Sequence, residues 1–448
     1  MTTSLRYLSL ACLALSLLVT ACGPVGANVQ TNNNNGLTNQ NQNWNNQSDA
    51  TVVPGFVKLK GTVWSPGADL AETLEVNRFP IPGAAVVAYH ARPDDLPQGM
   101  YCNECMDVPA GTPKAMSDPV TGEFELTLMP GRTYYLTIQK GEFRRVRQVV
   151  TPDTPDEVWE PAYQVGGPRP DLLTLPSTSN PSTSDNVPKI AVITAEYEEM
   201  DQMFNAMGMA YNGADVHEVS ASIVNDRNQL DAYNLVVVPC GENWPGGNGE
   251  VLKQWVRDGG KLYVDDFNYD FVEQVWPEFL SWYVYEPLFT GSTGPCATST
   301  SPGTSVNSCN NWGSYDFNGD PGDPDFDAWL RLEEVNRGAG IFLQAAWDYI
   351  YEMGEGIVGV SDECTGNCGP NGEVYMLPKV WMYNADGTSF DNRPPATVSW
   401  PYYCGKVLYT VYHTHSGYEE PYELLLQEKI MMYLIMEIQT CSTGPIVR

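Results

Sequence analysis

The chain has 448 residues, with 55 Asp and Glu against 24 Lys and Arg, for a formal net charge of −31. That length supplies two or three domains with real cores. The acidity argues against nucleic acid as a partner, because neutralising a phosphate backbone takes a basic stripe. The densest basic cluster here is Arg144-Arg145-Val146-Arg147, which reads as a solvated strand. An acidic excess favours solubility and leaves divalent cations as ligands to consider.

Residues 1–22 read MTTSLRYLSLACLALSLLVTAC. Arg6 precedes an apolar run from Leu8 to Val19, and small residues lead to Cys22, which is the order of a signal peptide covering residues 1–21. Val19-Thr20-Ala21-Cys22 resembles the bacterial lipobox, which implies diacylation of Cys22 as the new N-terminus. The expected address is the cell envelope, with a lipid anchor in the membrane. Gly23 after the cysteine implies, by resemblance to Gram-negative sorting, the outer membrane. Residues 22–54 are rich in Asn and Gln, cannot bury enough apolar surface to fold, and read as a tether.

With Cys12 in the signal and Cys22 taken by lipid, nine of the eleven cysteines remain. An oxidising compartment favours pairing. The close pairs Cys102/Cys105, Cys296/Cys309 and Cys364/Cys368 are the disulfide candidates, leaving Cys240, Cys404 and Cys441. An odd count requires a free thiol or an intermolecular bond. Cys102-Asn103-Glu104-Cys105 has a redox motif and half of a metal site as its other readings, but His90 is the only histidine near it.

Residues 55–153 alternate in short runs over Phe56–Val63, Ala84–Tyr89, Gly122–Leu128 and Thr133–Ile138. Period-2 patterning between turn signals predicts an all-β sandwich. The KGTV, IPGAAVVAY and TGEFELTLMPGRTYYLTI segments resemble the carboxypeptidase regulatory-like (transthyretin-like) domain, which implies an accessory or binding module. Residues 154–187 are rich in Pro, Ser and Thr and read as a linker.

Residues 188–441 change grammar. The buried-strand runs KIAVIT, LVVVP and KLYV alternate with helical segments at Glu196–Met209 and at Val251–Val256. They predict a parallel sheet covered on both faces. KVLYTVY follows late, then an amphipathic helix over Pro421–Ile438 and a tail at 442–448. The order VVPCG, DGGKLYVDD, GKVLYTVYHTH resembles the class I glutamine-amidotransferase-like, flavodoxin-like fold, with an insertion at about 285–330. The expected fold class is therefore multidomain, an N-terminal all-β sandwich followed by an amidotransferase-like α/β domain. The pieces together resemble a group of myxobacterial-type lipoproteins.

The amidotransferase resemblance implies a nucleophilic cysteine on an elbow after the KLYV strand, but Val264-Asp265-Asp266-Phe267 stands there. His413 matches the catalytic histidine, while His415 replaces the glutamate two residues on. Two readings follow. In the first, the protein is a non-catalytic envelope lipoprotein that binds a protein or glycan. In the second, it is a hydrolase using Cys240, Asp265, Asp266 and His413 at the strand ends. Trp244, Tyr263, Phe267, Tyr269 and Tyr412 are candidates for stacking on sugar rings, or else core. A nucleotide is excluded, since Thr194-Ala195-Glu196-Tyr197-Glu198-Glu199 lacks the glycine pattern and sets carboxylates where a phosphate would sit. For Ca²⁺, Asp316, Asn318, Asp320 and Asp327 echo an EF-hand loop, although Pro321 takes the place of its turn glycine. A solvated acidic loop is the other reading.

Overall fold

Alternation of apolar and polar residues builds the first part of the chain. In β1 (Val57–Thr62), Val57 and Leu59 are buried. The chain continues through β2 (Ala85–Tyr89), β3 (Lys114–Met116), β4 (Glu123–Leu128), β5 (Thr133–Lys140), β6 (Phe143–Val150) and β7 (Val158–Trp159). They form a three-stranded sheet in the order β4-β1-β7 and a four-stranded sheet in the order β3-β2-β5-β6. The tight β5–β6 turn depends on Gly141 at φ 59°, where an added Cβ would come within 2.7 Å of Gln439. The computed structural model describes residues 55–103, 108–242, 244–285, 293–295, 315–361, 364, 366–387, 393–413 and 422–440. The signal peptide, Cys22, the tether, Cys105, Cys296, Cys309, His415, Cys441 and the tail lie outside the described residues.

Continuous apolar runs build the second part. The strands β8 (Ile190–Ile193), β9 (Val216–Val219), β10 (Leu235–Val238) and β11 (Lys261–Asp265) come first. After them come β12 (Leu280–Tyr285), β13 (Thr293–Pro295), β14 (Tyr315–Pro321), β15 (Phe342–Ala346) and β16 (Ile350–Met353). The last are β17 (Gly356–Val360), β18 (Glu373–Met376), β19 (Lys379–Asn384), β20 (Pro395–Tyr402) and β21 (Gly405–Thr410). The helices are α1 (Met200–Ala206), α2 (Arg227–Leu230), α3 (Glu250–Arg257), α4 (Asp270–Glu273), α5 (Pro324–Leu330), α6 (Glu333–Asn336) and α7 (Leu426–Ile438). A nine-stranded sheet runs β15-β14-β19-β20-β21-β11-β10-β8-β9. Strands β9, β8, β10, β11 and β21 are parallel. Counted along the chain, their order is 2-1-3-4-5, an order of doubly wound sheets. Every residue of β8, β10 and β11 is buried, as expected for strands covered on both faces.

Several expectations need correction. The expected insertion at about 285–330 contributes to the sheet over its last part, where β14 pairs antiparallel with β19. Residues 154–187 are not a loose linker. β7 joins β1, Leu173 and Leu175 are 2% and 0% exposed, and Arg169 stacks its guanidinium 4.3 Å from the Trp64 ring centroid. The Arg144–Arg147 strand is not solvated either: Arg144 and Arg145 are 3% and 6% exposed. Arg145 pairs with Asp69 at 2.6 Å, and Arg147 with Asp185 at 2.8 Å. Helix α7 begins at Leu426 and is buried on every side, polar residues included, because Gln427, Glu428, Lys429 and Glu437 all find internal partners. The disulfide reading changes too. Cys102 bonds Cys404, 302 residues away, rather than its neighbour Cys105, while Cys364 bonds Cys368.

These contacts merge the two parts into one continuous apolar core. Buried ion pairs cross between them. Lys261, at the start of β11, meets Glu142 in the β5–β6 turn at 3.1 Å, and Lys140 pairs with Glu437 of α7. Nearby, Lys406 donates to the Thr440 carbonyl at 2.9 Å and lies 6% exposed. Burial pushes Lys406 down to about 7. Between that value and the unfolded amine's value of about 10.4, the native state binds fewer protons than the unfolded chain, so stability rises with pH across this window. Lys406→Met removes the burial cost, so the variant is expected to compare best with wild type at and below about pH 7. Denaturant titrations should show it losing about 1.4 kcal/mol of that advantage per pH unit from about pH 7 to 10. A difference independent of pH would show that the amine stays charged.

Candidate functional site

Parallel pairing brings the carboxyl ends of β8, β10, β11 and β21 to one edge of the sheet, where ligands bind in open α/β folds. Each strand delivers a side chain there. Cys240 lies two residues beyond β10, Asp265 ends β11, Asp266 follows it, and His413 lies three residues beyond β21. Glu198 comes from the loop after β8. Gly241, at φ 108°, lets the loop after Cys240 pass against Tyr197, where a Cβ would meet the ring at 2.6 Å.

Asp266 sits at φ 42°, a left-handed conformation costly for a residue with a side chain. It occupies the position where the amidotransferase resemblance places the nucleophile elbow, and it turns sharply without flanking glycines. Its Oδ1 accepts from the Trp347 amide at 2.9 Å, and its Oδ2 lies 2.7 Å from His413 Nδ1. The Tyr409 hydroxyl donates to the Asp266 carbonyl at 2.8 Å, and Gln427 donates to the His413 carbonyl. Asn268 ties this turn to the loop after β10 by donating to the Pro239 carbonyl and accepting from the Glu242 amide. Backbone and side chains therefore hold the strained turn from both sides.

The electrostatics are dominated by burial. Asp265, Asp266 and Asp348 are 0%, 0% and 1% exposed, and desolvation raises all three carboxyls well above their ordinary range. Neither carboxylate oxygen of Asp348 has a hydrogen-bond partner among the described residues. Burial lifts Asp270 to about 6 and, with help from Asp270, Glu273 to about 7. Burial also lowers His413, so its imidazole is held neutral. Cys240 is a free thiol, 2% exposed, which burial and then the charges of Asp266 and Asp265 push far up. A thiol so placed is not a thiolate nucleophile.

All four residues of the sequence-derived hydrolase set thus come together, Cys240, Asp265, Asp266 and His413, but inside the protein. Sequence reading missed Asp348, which the β15–β16 connection brings over Asp266, and assigned Glu198 no role beyond repelling phosphate. Neither carries a motif, so only the tertiary fold exposes them. The stacking candidates Trp244, Tyr263, Tyr269 and Tyr412 are at most 4% exposed and belong to the core. A cleft of ≈ 290 Å³ opens beside this cluster at the ends of β8, β9 and β10. Its polar lining includes Thr194, Glu198, Asp201, Tyr211, Asn212 and Glu218.

The calcium expectation meets a different geometry. Asp316, Asn318 and Asp320 lie at alternate positions along strand β14, not in a loop, while Asp327 belongs to helix α5. Asp316 accepts from the Ala345 amide at 3.1 Å and Asn318 donates to Asp386 at 3.0 Å. Asp320 pairs with Arg393 at 2.6 Å and Asp327 with Arg331 at 2.7 Å. An extended strand cannot wrap oxygens around one ion, and Asp323, not Asp327, caps α5.

No family profile and no curated protein matches the chain. Among solved structures, a ThuA-like protein from Bacteroides uniformis is 11% identical, over 56% of this chain and 89% of its own, with a TM-score of 0.30. A cytoplasmic protein from Salmonella typhimurium is 11% identical over 55% of this chain and 98% of its own, also at 0.30. A β-galactosidase from Bacillus circulans is 12% identical over 56% of this chain and 30% of its own, at 0.27. Likenesses at this level assign no activity. The second part's doubly wound α/β character rests instead on its own strand order, β9-β8-β10-β11-β21.

Proposed function

We propose that this chain is a lipid-anchored cell-envelope protein that binds a glycan without cleaving it, through an amidotransferase-like domain preceded by a β-sandwich module. One observation carries the non-catalytic reading. The elbow position holds Asp266, whose two oxygens are taken up by Trp347 and His413, while the nearby thiol is buried and protonated. The ligand class follows from the cleft, where carboxylates, an amide and a hydroxyl surround Tyr211. Such groups accept from and donate to sugar hydroxyls, and the ring gives an apolar face to stack on. A protein partner held by the sheets of residues 57–159 is the other outcome. The anchor rests on the lipobox at Cys22, and the Cys102–Cys404 and Cys364–Cys368 bonds are in keeping with an oxidising compartment. Among the described residues, no helix is long and apolar enough to cross a membrane.

A second reading, hydrolysis, is favoured by one feature: strain stored at Asp266 beside an imidazole, in a region of raised carboxyl groups.

Three measurements test these readings. Calorimetric titration with cell-wall and capsular oligosaccharides should give saturable binding, weakened about tenfold by Glu218→Gln, the loss of one charged hydrogen-bond acceptor. Absence of binding by every oligosaccharide would remove the glycan reading, and release of a cleaved product would establish the hydrolase. Thiol labelling followed by peptide mapping should modify Cys240 only after unfolding; rapid labelling of the native chain would restore a thiol nucleophile. Intact mass of the exported chain should show the acyl groups on Cys22, and Cys22→Ser should abolish them. An unlipidated wild-type chain would refute the anchor.

A further inference from the structure

We infer that Glu198, Cys240 and His413 form a site for one divalent transition metal ion of zinc type at the carboxyl edge of the sheet. The ligand atoms of these three residues all lie within 4.8 Å of one another. They arrive from three different strand ends, β8, β10 and β21, so the cluster is a product of the fold rather than of a local acidic run. Thiolate, imidazole and carboxylate together are the donor set of Zn²⁺, and they argue against Ca²⁺ or Mg²⁺, which take oxygen ligands. Bonds of about 2.0–2.3 Å require the three groups to close by roughly an ångström, within reach of side-chain rotation in the half-buried Glu198.

Two further observations point to a cation here. Asp265 is 0% exposed and ends β11, the strand that lies between β10 and β21, whose ends carry Cys240 and His413. A carboxyl buried there ionises only with a positive partner, which a bound cation supplies. The contact between His413 Nδ1 and Asp266 is the arrangement that holds a metal-binding histidine, with the carboxylate fixing the ring and Nε2 left to coordinate. Cys240 is a free thiol, and Cys404, one of the two cysteines left over with it, is bonded to Cys102. On binding, the Cys240 thiol passes its proton to solvent and a metal–sulfur bond forms. Coordination through Nε2 requires the proton shared with Asp266 to lie on His413 Nδ1. No electron is transferred.

This inference does not rest on the glycan reading, and its test does not involve a glycan. The full exported chain, with its disulfides formed, is stripped with a chelator and titrated with Zn²⁺ and separately with Co²⁺. One equivalent should bind, and Co²⁺ should give the sulfur-to-metal charge-transfer band and the strong visible bands of a four-coordinate thiolate site. Cys240→Ser should remove the charge-transfer band. Glu198→Gln, an isosteric change at a half-buried position, should weaken Zn²⁺ binding about tenfold, and Asp266→Asn, acting through His413, about 10–100-fold. Glu123→Gln, at an exposed position of β4, should leave affinity unchanged. A folded chain that binds no Zn²⁺ at submillimolar concentration would overturn the inference. So would a Co²⁺ complex lacking the thiolate band, or a folded Glu198→Gln variant that binds as tightly as wild type.

Discussion

Strand β11 pairs in parallel with β10 on one side and β21 on the other, in a register that sets Val238 opposite Val264 and Asp265 opposite Thr410. Those ladders lie at the centre of a sheet covered on both faces, so a slip of one residue would turn apolar side chains toward the wrong layer and leave buried amides unpaired. The same register determines where the chain leaves each strand. Cys240, Asp265, Asp266 and His413 meet because three neighbouring strands end level with one another. The turn at Asp266 can remain in a left-handed conformation only because Tyr409, Trp347 and Asn268 hold it.

The edge of the sheet is expensive to build. Two carboxyl groups without exposure, Asp265 and Asp266, flank one imidazole, Asp348 lies beside Asp266, and burial makes each of them reluctant to ionise. Packing alone would not select such an arrangement, since apolar residues of similar volume would be more stable there. Charge of this kind persists where an ion, a ligand or a reaction uses it. The cleft alongside is lined with polar groups, so the buried cluster and the cleft present two different chemistries at a shared residue, Glu198.

The first part of the chain is bound into the second more closely than a tethered accessory module would be. Helix α7 lies where both parts meet, which explains why its polar residues are buried: Glu437 answers Lys140, and the residues just past the helix pack on the Gly141 turn. The Lys261–Glu142 pair runs from the root of β11 into the β5–β6 turn, and the Cys102–Cys404 bond fastens the segment before β3 to the hairpin that leads into β21. Closing a loop this long removes much of the freedom of the unfolded chain, a stabilisation of about 5–6 kcal/mol in the chain-entropy account.

Much of this architecture was legible in residue order. Period-2 alternation placed β1, β2, β4 and β5, and unbroken apolar runs placed β8, β10 and β11, because burial on one face or two leaves a direct trace in hydrophobic pattern. Pairings between distant residues left no such trace. Proximity in sequence favoured Cys102 with Cys105, whereas the fold carries Cys404 to Cys102. Acidic spacing suggested a calcium loop, whereas pairing with β19 draws Asp316, Asn318 and Asp320 out along a strand. The absence of a cysteine and of glycines hid an elbow that surrounding hydrogen bonds enforce on Asp266. The sequence by itself determined those strands and helices whose hydrophobic pattern is local, such as β1, β8, β10 and α3, since each depends on neighbours a few residues apart. Only the tertiary structure decided which charges are buried together, because that depends on where strands far apart in the chain come to an end.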